Sequence, residues 1–185
     1  PIICGGTGFY IQAITDRISI QEVAPDWKLR KNLEKKPVKE LFEILKKIDP
    51  RRTKNIDKEN PRRLIRAIEI VLKTKKPVPT LKKNPLPYPV LMIGIKKASK
   101  ELKKLIEKRL LKRLRQGMIQ EVKKLRKSGV SWKRLEEFGL EYRFVALYLQ
   151  KKLTYREMIE KIQKESEHYA KRQMTWFKRD KKIHW

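Results

Sequence analysis

The sequence predicts a helix-dominated chain with two strand fragments that belong to a sheet the chain does not complete. Three observations predict this. Pro1-Ile-Ile-Cys4 runs straight into Gly5-Gly6-Thr7-Gly8, which reads as the end of a buried strand turning into a helix. Val90-Leu-Met-Ile-Gly-Ile95 is the one continuous apolar run flanked by breakers, too short for a helix and apolar enough for a buried strand. Most of the remaining chain repeats apolar residues at three- and four-residue intervals. A strand at the first residues has nothing to pair with, so the sequence is expected to begin inside a domain.

The elements follow in order. Phe9 to Ile14 read as a helix with Phe9, Ile11, Ala13 and Ile14 on its sticky face. Pro25 fixes φ before a second helix from Trp27 to Leu33, with Asp26 as N-cap. Pro37 opens a third, carrying Leu41, Ile44, Leu45 and Ile48, and Asp49-Pro50 ends it. Asn60 and Pro61 form an N-cap and first-turn pair for a helix that aligns Leu64, Ile65, Ile68, Val71 and Leu72. Prolines then make 74 to 89 a connector. Beyond the strand at 90 to 95, Ser99 is expected to cap a long helix, and Gly117 punctuates it. Helical period continues to a stop at Gly129. Trp132 and Leu135 begin a polar-flanked loop. Phe144 to Leu149 form another apolar helix face, and Thr154 caps a last long helix holding Met158, Ile159, Ile162 and Tyr169. The tail from Lys171 to Trp185 mixes cations with aromatic side chains. The expected domain division is 1–20 and 90–185 against a helical insertion plus connector at 21–89.

Charge narrows the function classes. Lys and Arg number 49 against 21 acidic residues, a net +28 on 185 residues. Self-repulsion of that size favours a polyanionic partner, with a general Lys bias of the proteome as the alternative. A hydrophobic content of 39% supports a packed core. One cysteine excludes an internal disulfide, and two histidines with one cysteine cannot make an ordinary zinc site, so no metal ligands are assigned. No apolar run approaches a membrane span. A soluble, cytoplasmic monomer with no membrane partner is the expectation.

Four segments carry candidate chemistry. The glycines of Gly5-Gly6-Thr7-Gly8 allow close backbone approach, and N–H groups at the helix start suit a phosphate or sugar oxygen; a plain tight turn is the alternative. No Gly-x-x-x-x-Gly-Lys-Ser/Thr occurs, so the sequence holds no complete diphosphate cradle. Arg62 and Arg66 share one helical face with Arg63 beside them. This suits RNA phosphates, or else is a solvated face with Glu69 three residues from Arg66. Lys171-Arg-Gln-Met-Thr-Trp-Phe-Lys-Arg179 interleaves cations with Trp176 and Phe177, the pattern that grips unpaired loops. Docking of Trp176 into the core is the alternative, which leaves the RNA role to Arg172, Gln173 and Lys178. Phe138-Gly-Leu-Glu-Tyr-Arg143 is a glycine turn entering a helix. His168 and His184 read as surface or structural, and Cys4 as a small buried hydrophobe.

In order, these landmarks resemble the tRNA dimethylallyltransferase family, also called tRNA isopentenyltransferases. Gly-Gly-Thr-Gly-x-Tyr opens the chain, then Pro-Arg-Arg-Leu-Ile-Arg-Ala-Ile-Glu lies on a helix with Lys-Pro after it. Ile106-Glu-Lys-Arg109, Gly117 and Glu121-Val122 follow, then Gly-x-x-Tyr-Arg, and last Ala170-Lys-Arg-Gln-Met-Thr-Trp-Phe, the most specific string. The resemblance implies an α/β P-loop-type core, present here only in its C-terminal part, with a helical tRNA-binding insertion. It implies transfer of a dimethylallyl group from dimethylallyl diphosphate to the exocyclic amine of the adenine 3′-adjacent to the anticodon. The partners implied are the tRNA anticodon stem-loop and dimethylallyl diphosphate, with Mg²⁺ as cofactor. The P-loop and the general base are expected upstream of Pro1, so no catalytic residue is assigned and the chain alone is expected to be inactive. By resemblance Thr7 contacts the target nucleotide, and Arg30, Arg62, Arg63 and Arg66 contact tRNA. So do Phe138, Gly139, Tyr142 and Arg143, and Lys171, Arg172, Gln173, Thr175, Trp176 and Lys178. Arg109 lies near the diphosphate. One departure is visible: two residues separate Gly139 from Tyr142 where many members have Gly-Tyr adjacent. The competing readings are a non-catalytic basic RNA-binding module and a prenyltransferase acting on free adenine nucleotides.

Overall fold

A computed structural model describes residues 1–84 and 86–185, so Pro85 of the expected connector lies outside the described residues. The described chain is mostly helical, with ten helices and one two-stranded sheet. It divides into two compact units, Gln12–Pro87 and the joined segments Pro1–Ile11 and Tyr88–Trp185. The first division falls inside helix α1 (Gly8–Thr15).

The unit 12–87 is built on α2 (Trp27–Leu33), α3 (Val38–Ile48), the short α4 (Pro50–Thr53) and α5 (Pro61–Thr74). Local chemistry explains where they start. The Asp26 carboxylate accepts from the Leu29 amide, and Asn60 Oδ1 accepts from the Arg63 amide with Pro61 in the first turn. Asp49 ends α3 and also caps α4 by accepting from the Arg52 amide. Its other oxygen takes the Val78 amide at 2.8 Å, which ties the connector to the helices. Leu33, Leu41, Leu45, Ile56, Leu64, Ile65, Ala67 and Ile68 form the core. Where the chain enters and leaves this unit, Asn84 donates to the Arg17 carbonyl and to Ser19 Oγ, holding the two segments side by side.

The other unit gathers α6 (Ser99–Arg115), α7 (Met118–Lys127), α8 (Trp132–Glu137), α9 (Leu140–Leu149) and α10 (Tyr155–Phe177) around a second core. That core contains Leu110, Met118, Val122, Leu135, Val145, Ala146, Met158 and Ile162. Gly117 at φ +95° breaks α6 from α7, a backbone state an L side chain strains to reach. Thr154 and Glu157 form a capping box that starts α10. The sheet pairs β1 (Met92–Ile93) with β2 (Ile183–His184) in parallel, Met92 opposite Ile183.

Four expectations change. Pro1 to Cys4 form no strand, and Cys4 is exposed because no neighbouring strand covers it. The strand expected at 90–95 contracts to Met92–Ile93 and is not buried: Ile93 is 73% exposed, since a two-strand ladder covers neither of its faces. Ser99 is not the cap. Ala98 takes the extended N-cap geometry (φ −60°, ψ 143°), so Ser99 already sits in the first turn. The loop expected at Trp132 is the helix α8, capped by the Ser131 hydroxyl and anchored by fully buried Leu135.

Candidate nucleic-acid interface

The glycine turn and the end of the last helix, 167 residues apart in sequence, meet in one place. Gln173 Nε2 donates to the Gly6 carbonyl at 2.9 Å. The Trp176 ring lies over Gly8 so closely that a Cβ there would stand 2.2 Å from Trp176 Cδ1, and one at Gly6 would stand 2.0 Å from Gln173 Nε2. At Gly8 a side chain would have to displace the Trp176 ring, whereas at Gly6 it would displace the end of the flexible Gln173 side chain and break its bond to the Gly6 carbonyl. Gly5, by contrast, has open space where its Cβ would be. Thr7, between the two clasped glycines, stays exposed, and so do Lys171, Arg172 and Lys178 on the helix end. Arg172 lies over the Tyr169 ring and Arg179 over Trp176, at 5.8 and 5.7 Å. The Thr175 hydroxyl donates to the Lys171 carbonyl within the helix. The result is a turn with two exposed backbone corners, held against a surface of cations and aromatic planes. The Trp176 alternative resolves into an intermediate state: one side of the ring packs on Gly8 while part of the residue remains open to solvent.

At the α8–α9 corner Gly139 adopts φ +135° and ψ −175°, a region essentially closed to side-chain-bearing residues. The turn brings Phe138 edge-on to Tyr142, ring centroids 5.9 Å apart, with the Arg134 guanidinium 5.2 Å above Phe138. The Tyr142 hydroxyl donates to Glu121 at 2.6 Å; that bond, then burial, raises its pKa. Arg143 Nε donates to the Glu136 carbonyl and its side chain is exposed. Glu141, just before Tyr142, is paired with Arg113. Arg109 is exposed on α6.

In the unit 12–87 the candidate arginines separate into two kinds. Arg62 and Arg63 are exposed, Arg63 only loosely paired with Asp57 at 3.8 Å. Arg30 and Arg66 instead converge on Glu69, whose side chain is 0% exposed. Arg30 donates through Nε at 2.9 Å and Nη2 at 2.6 Å, the Asp26 amide adds a third bond at 2.6 Å, and Arg66 contributes another. Arg66 also donates to the Val23 carbonyl. Burial alone would raise the Glu69 carboxyl, but the Arg30 bonds, the Asp26 amide and Arg66 outweigh it and hold it at about 2. Arg62 and Arg66 share a helix face, yet Arg66 is bonded to an internal carboxylate while Arg62 is exposed, which matches the alternative of Glu69 three residues from Arg66 for one of the two. Among the described residues no group of three or more His, Cys, Asp or Glu side chains is placed to hold a metal ion. No helix of the described residues is long and apolar enough to cross a membrane.

An IPP transferase family model matches residues 1–180. The chain belongs to the IPP transferase family. It is 42% identical over 180 residues to tRNA dimethylallyltransferase 1 of Syntrophus aciditrophicus, covering 97% of this chain and 59% of that protein. Among solved structures it resembles the full-length tRNA isopentenylpyrophosphate transferase of Bacillus halodurans, with 30% identity, a TM-score of 0.58, and coverage of 97% of this chain and 57% of that one. A tRNA isopentenylpyrophosphate transferase of Staphylococcus epidermidis is similar at 32% identity and a TM-score of 0.57, covering 100% of this chain and 62% of that one. The chain thus spans about three fifths of the length of the relatives it matches.

Sequence reasoning missed three features of this IPP transferase chain. The Glu69 hub has contacts 39 and 43 residues away, which no local spacing reports. The i,i+3 spacing of Arg66 and Glu69 signalled one of its contacts, but not the burial of the carboxylate or its bonds to α2. The Glu121–Tyr142 bond and the clasp on Gly6 are likewise tertiary. For the clasp, the glycine-rich turn was the available sign that another group approaches the backbone, at Gly6 and Gly8 though not at Gly5.

Proposed function

We propose that this chain grips the anticodon stem-loop of tRNA within an enzyme that moves a dimethylallyl group from dimethylallyl diphosphate to the exocyclic amine of the adenine 3′-adjacent to the anticodon. The amine attacks the allylic carbon, diphosphate leaves with the bonding electrons, and the amine loses a proton. The residues of this chain bind and orient. Thr7 addresses the target nucleotide from the clasped turn. Arg172, Lys171, Lys178 and the open edge of Trp176 hold the loop, Phe138 and Arg143 offer a stacking plane and a cation, and Arg62 and Arg63 take phosphates. Arg109 is assigned to the diphosphate side. Mg²⁺ would accompany the diphosphate and neutralise its charge as it leaves. A cytoplasmic monomer suits a tRNA substrate.

The observation that carries this reading is the clasp of the Gly5–Gly8 turn by the cation- and aromatic-bearing end of α10. It sets exposed cations and aromatic planes around an exposed turn, a surface suited to a large anionic ligand with unpaired bases more than to a free adenine nucleotide. The test is binding of an anticodon stem-loop against salt. Each phosphate contact contributes a slope of about −0.7 to −0.9 in log affinity against log salt, so several contacts give a steep line. AMP should bind at least a hundredfold more weakly. An affinity indifferent to salt, or AMP binding as tightly as the stem-loop, overturns the reading.

A further inference from the structure

Trp27, the first residue of α2, is 72% exposed, the most open tryptophan of the chain. Burying an indole is among the largest apolar gains a fold can make, so a Trp left out on a rigid support invites a ligand. The support is specific. The Arg30 guanidinium lies over the Trp27 ring at 5.2 Å, and Arg30 is itself fixed by two hydrogen bonds to buried Glu69. Glu69 is in turn bonded to the Asp26 amide, the residue immediately before Trp27. Backbone and ring are therefore positioned by the same carboxylate, and one face of the indole is backed by a cation. The residue is otherwise largely open to solvent. Exposed lysines 28 and 31 lie on the same short helix, with half-open Lys73 reaching Asp26 at 3.9 Å.

We propose that Trp27 is a stacking platform for an unpaired RNA base, with Arg30 acting as a positioning residue for the ring instead of as a phosphate ligand. A flat aromatic face, a cation behind it and lysines around it match the chemistry of single-stranded nucleic acid, where bases stack and cations follow the backbone. An apolar protein partner would not be drawn to so cationic a surround. The proposal rests on the tRNA reading above and adds a contact to it.

The experiment uses the full chain with two probes, an anticodon stem-loop and a blunt RNA duplex of equal length. Trp27→Leu keeps apolar bulk and removes the π face. It should weaken stem-loop binding by about 5- to 150-fold, the range for losing one base–aromatic stack. Duplex binding should change by less than about twofold, and the salt slope should stay the same because no charge is lost. Trp27→Phe should recover most of the loss. Arg30→Lys, which keeps the charge but not the fork to Glu69, should reproduce part of it. Melting curves guard the comparison, and an exposed residue should leave them nearly unmoved. Stem-loop binding by Trp27→Leu within twofold of the parent chain overturns the platform, as does equal loss for stem-loop and duplex. Failure of the parent chain to bind the stem-loop at all sinks the tRNA reading itself, a result distinct from either.

Discussion

At the scale of single residues, the arginines of α5 show how one stretch of sequence divides between open surface and internal structure. Arg62 faces solvent, whereas Arg66 is half withdrawn and bound to a carboxylate that has no exposure at all. Removing Arg66 leaves a buried charge less compensated, so Arg66→Ala should cost about 1–3 kcal/mol of stability. Arg62→Ala should leave the melting temperature unchanged and weaken stem-loop binding by about 1–2 kcal/mol, as expected for a charge-assisted phosphate contact. Measured separately by thermal melting and titration, the two should fail in different assays; loss of stability in Arg62→Ala would refute the division. Glu69 adds a pH signature. Its folded pKa of about 2 lies below its ordinary 4.5, so its contribution is complete above about 4.5 and is lost as pH falls towards 2. The parent chain should lose stability relative to Glu69→Gln across that window, and the gap between the two should be constant at neutral pH.

At the scale of elements, the start of α1 depends on the end of α10. Gly8→Ala would push the Trp176 ring off the turn, and overpacking of this kind costs about 1–3 kcal/mol with a change in tryptophan fluorescence. Gly5→Ala meets nothing and should stay within about 0.5 kcal/mol of the parent. Equal effects of the two substitutions in chemical denaturation would mean that the clasp does not order the turn. The helix starts at Asp26, Asn60 and Thr154 were readable because a cap and its amide lie three residues apart. The strand at 90–95 was readable as apolar, but its partner Ile183–His184 was not, because two residues carry no period. Ser99 misled because a good capping residue one position inside the helix reads the same as one at the boundary. Of the interface, charge and aromatic content were visible in the tail. What Gln173 and Trp176 do there became visible only with the turn beneath them.

At the scale of the whole molecule, two features decide how the chain behaves: a charge of +28 and two separate cores. The charge acts everywhere, weakening both compact units by self-repulsion, and salt or RNA should relieve both. The cores act locally. Leu41, Leu45, Leu64 and Ile68 are fully buried within Gln12–Pro87, and Leu135, Val145 and Met158 within the other unit. A chain with two cores need not unfold in one step. Leu135→Ala removes a fully buried side chain from one core and should cost that unit about 2–5 kcal/mol. Glu69→Gln removes the carboxylate that joins α2 to α5 and should lower the stability of the other. Calorimetry of the parent chain should resolve two transitions, with Leu135→Ala lowering one midpoint and Glu69→Gln the other. A saturating stem-loop should raise both, because the proposed contacts are divided between Arg62 and Arg63 in one unit and Lys171, Arg172 and Lys178 in the other. If both substitutions move a single transition together, the units fold as one cooperative body. If the stem-loop raises only one midpoint, the RNA contacts of the other unit are wrongly assigned.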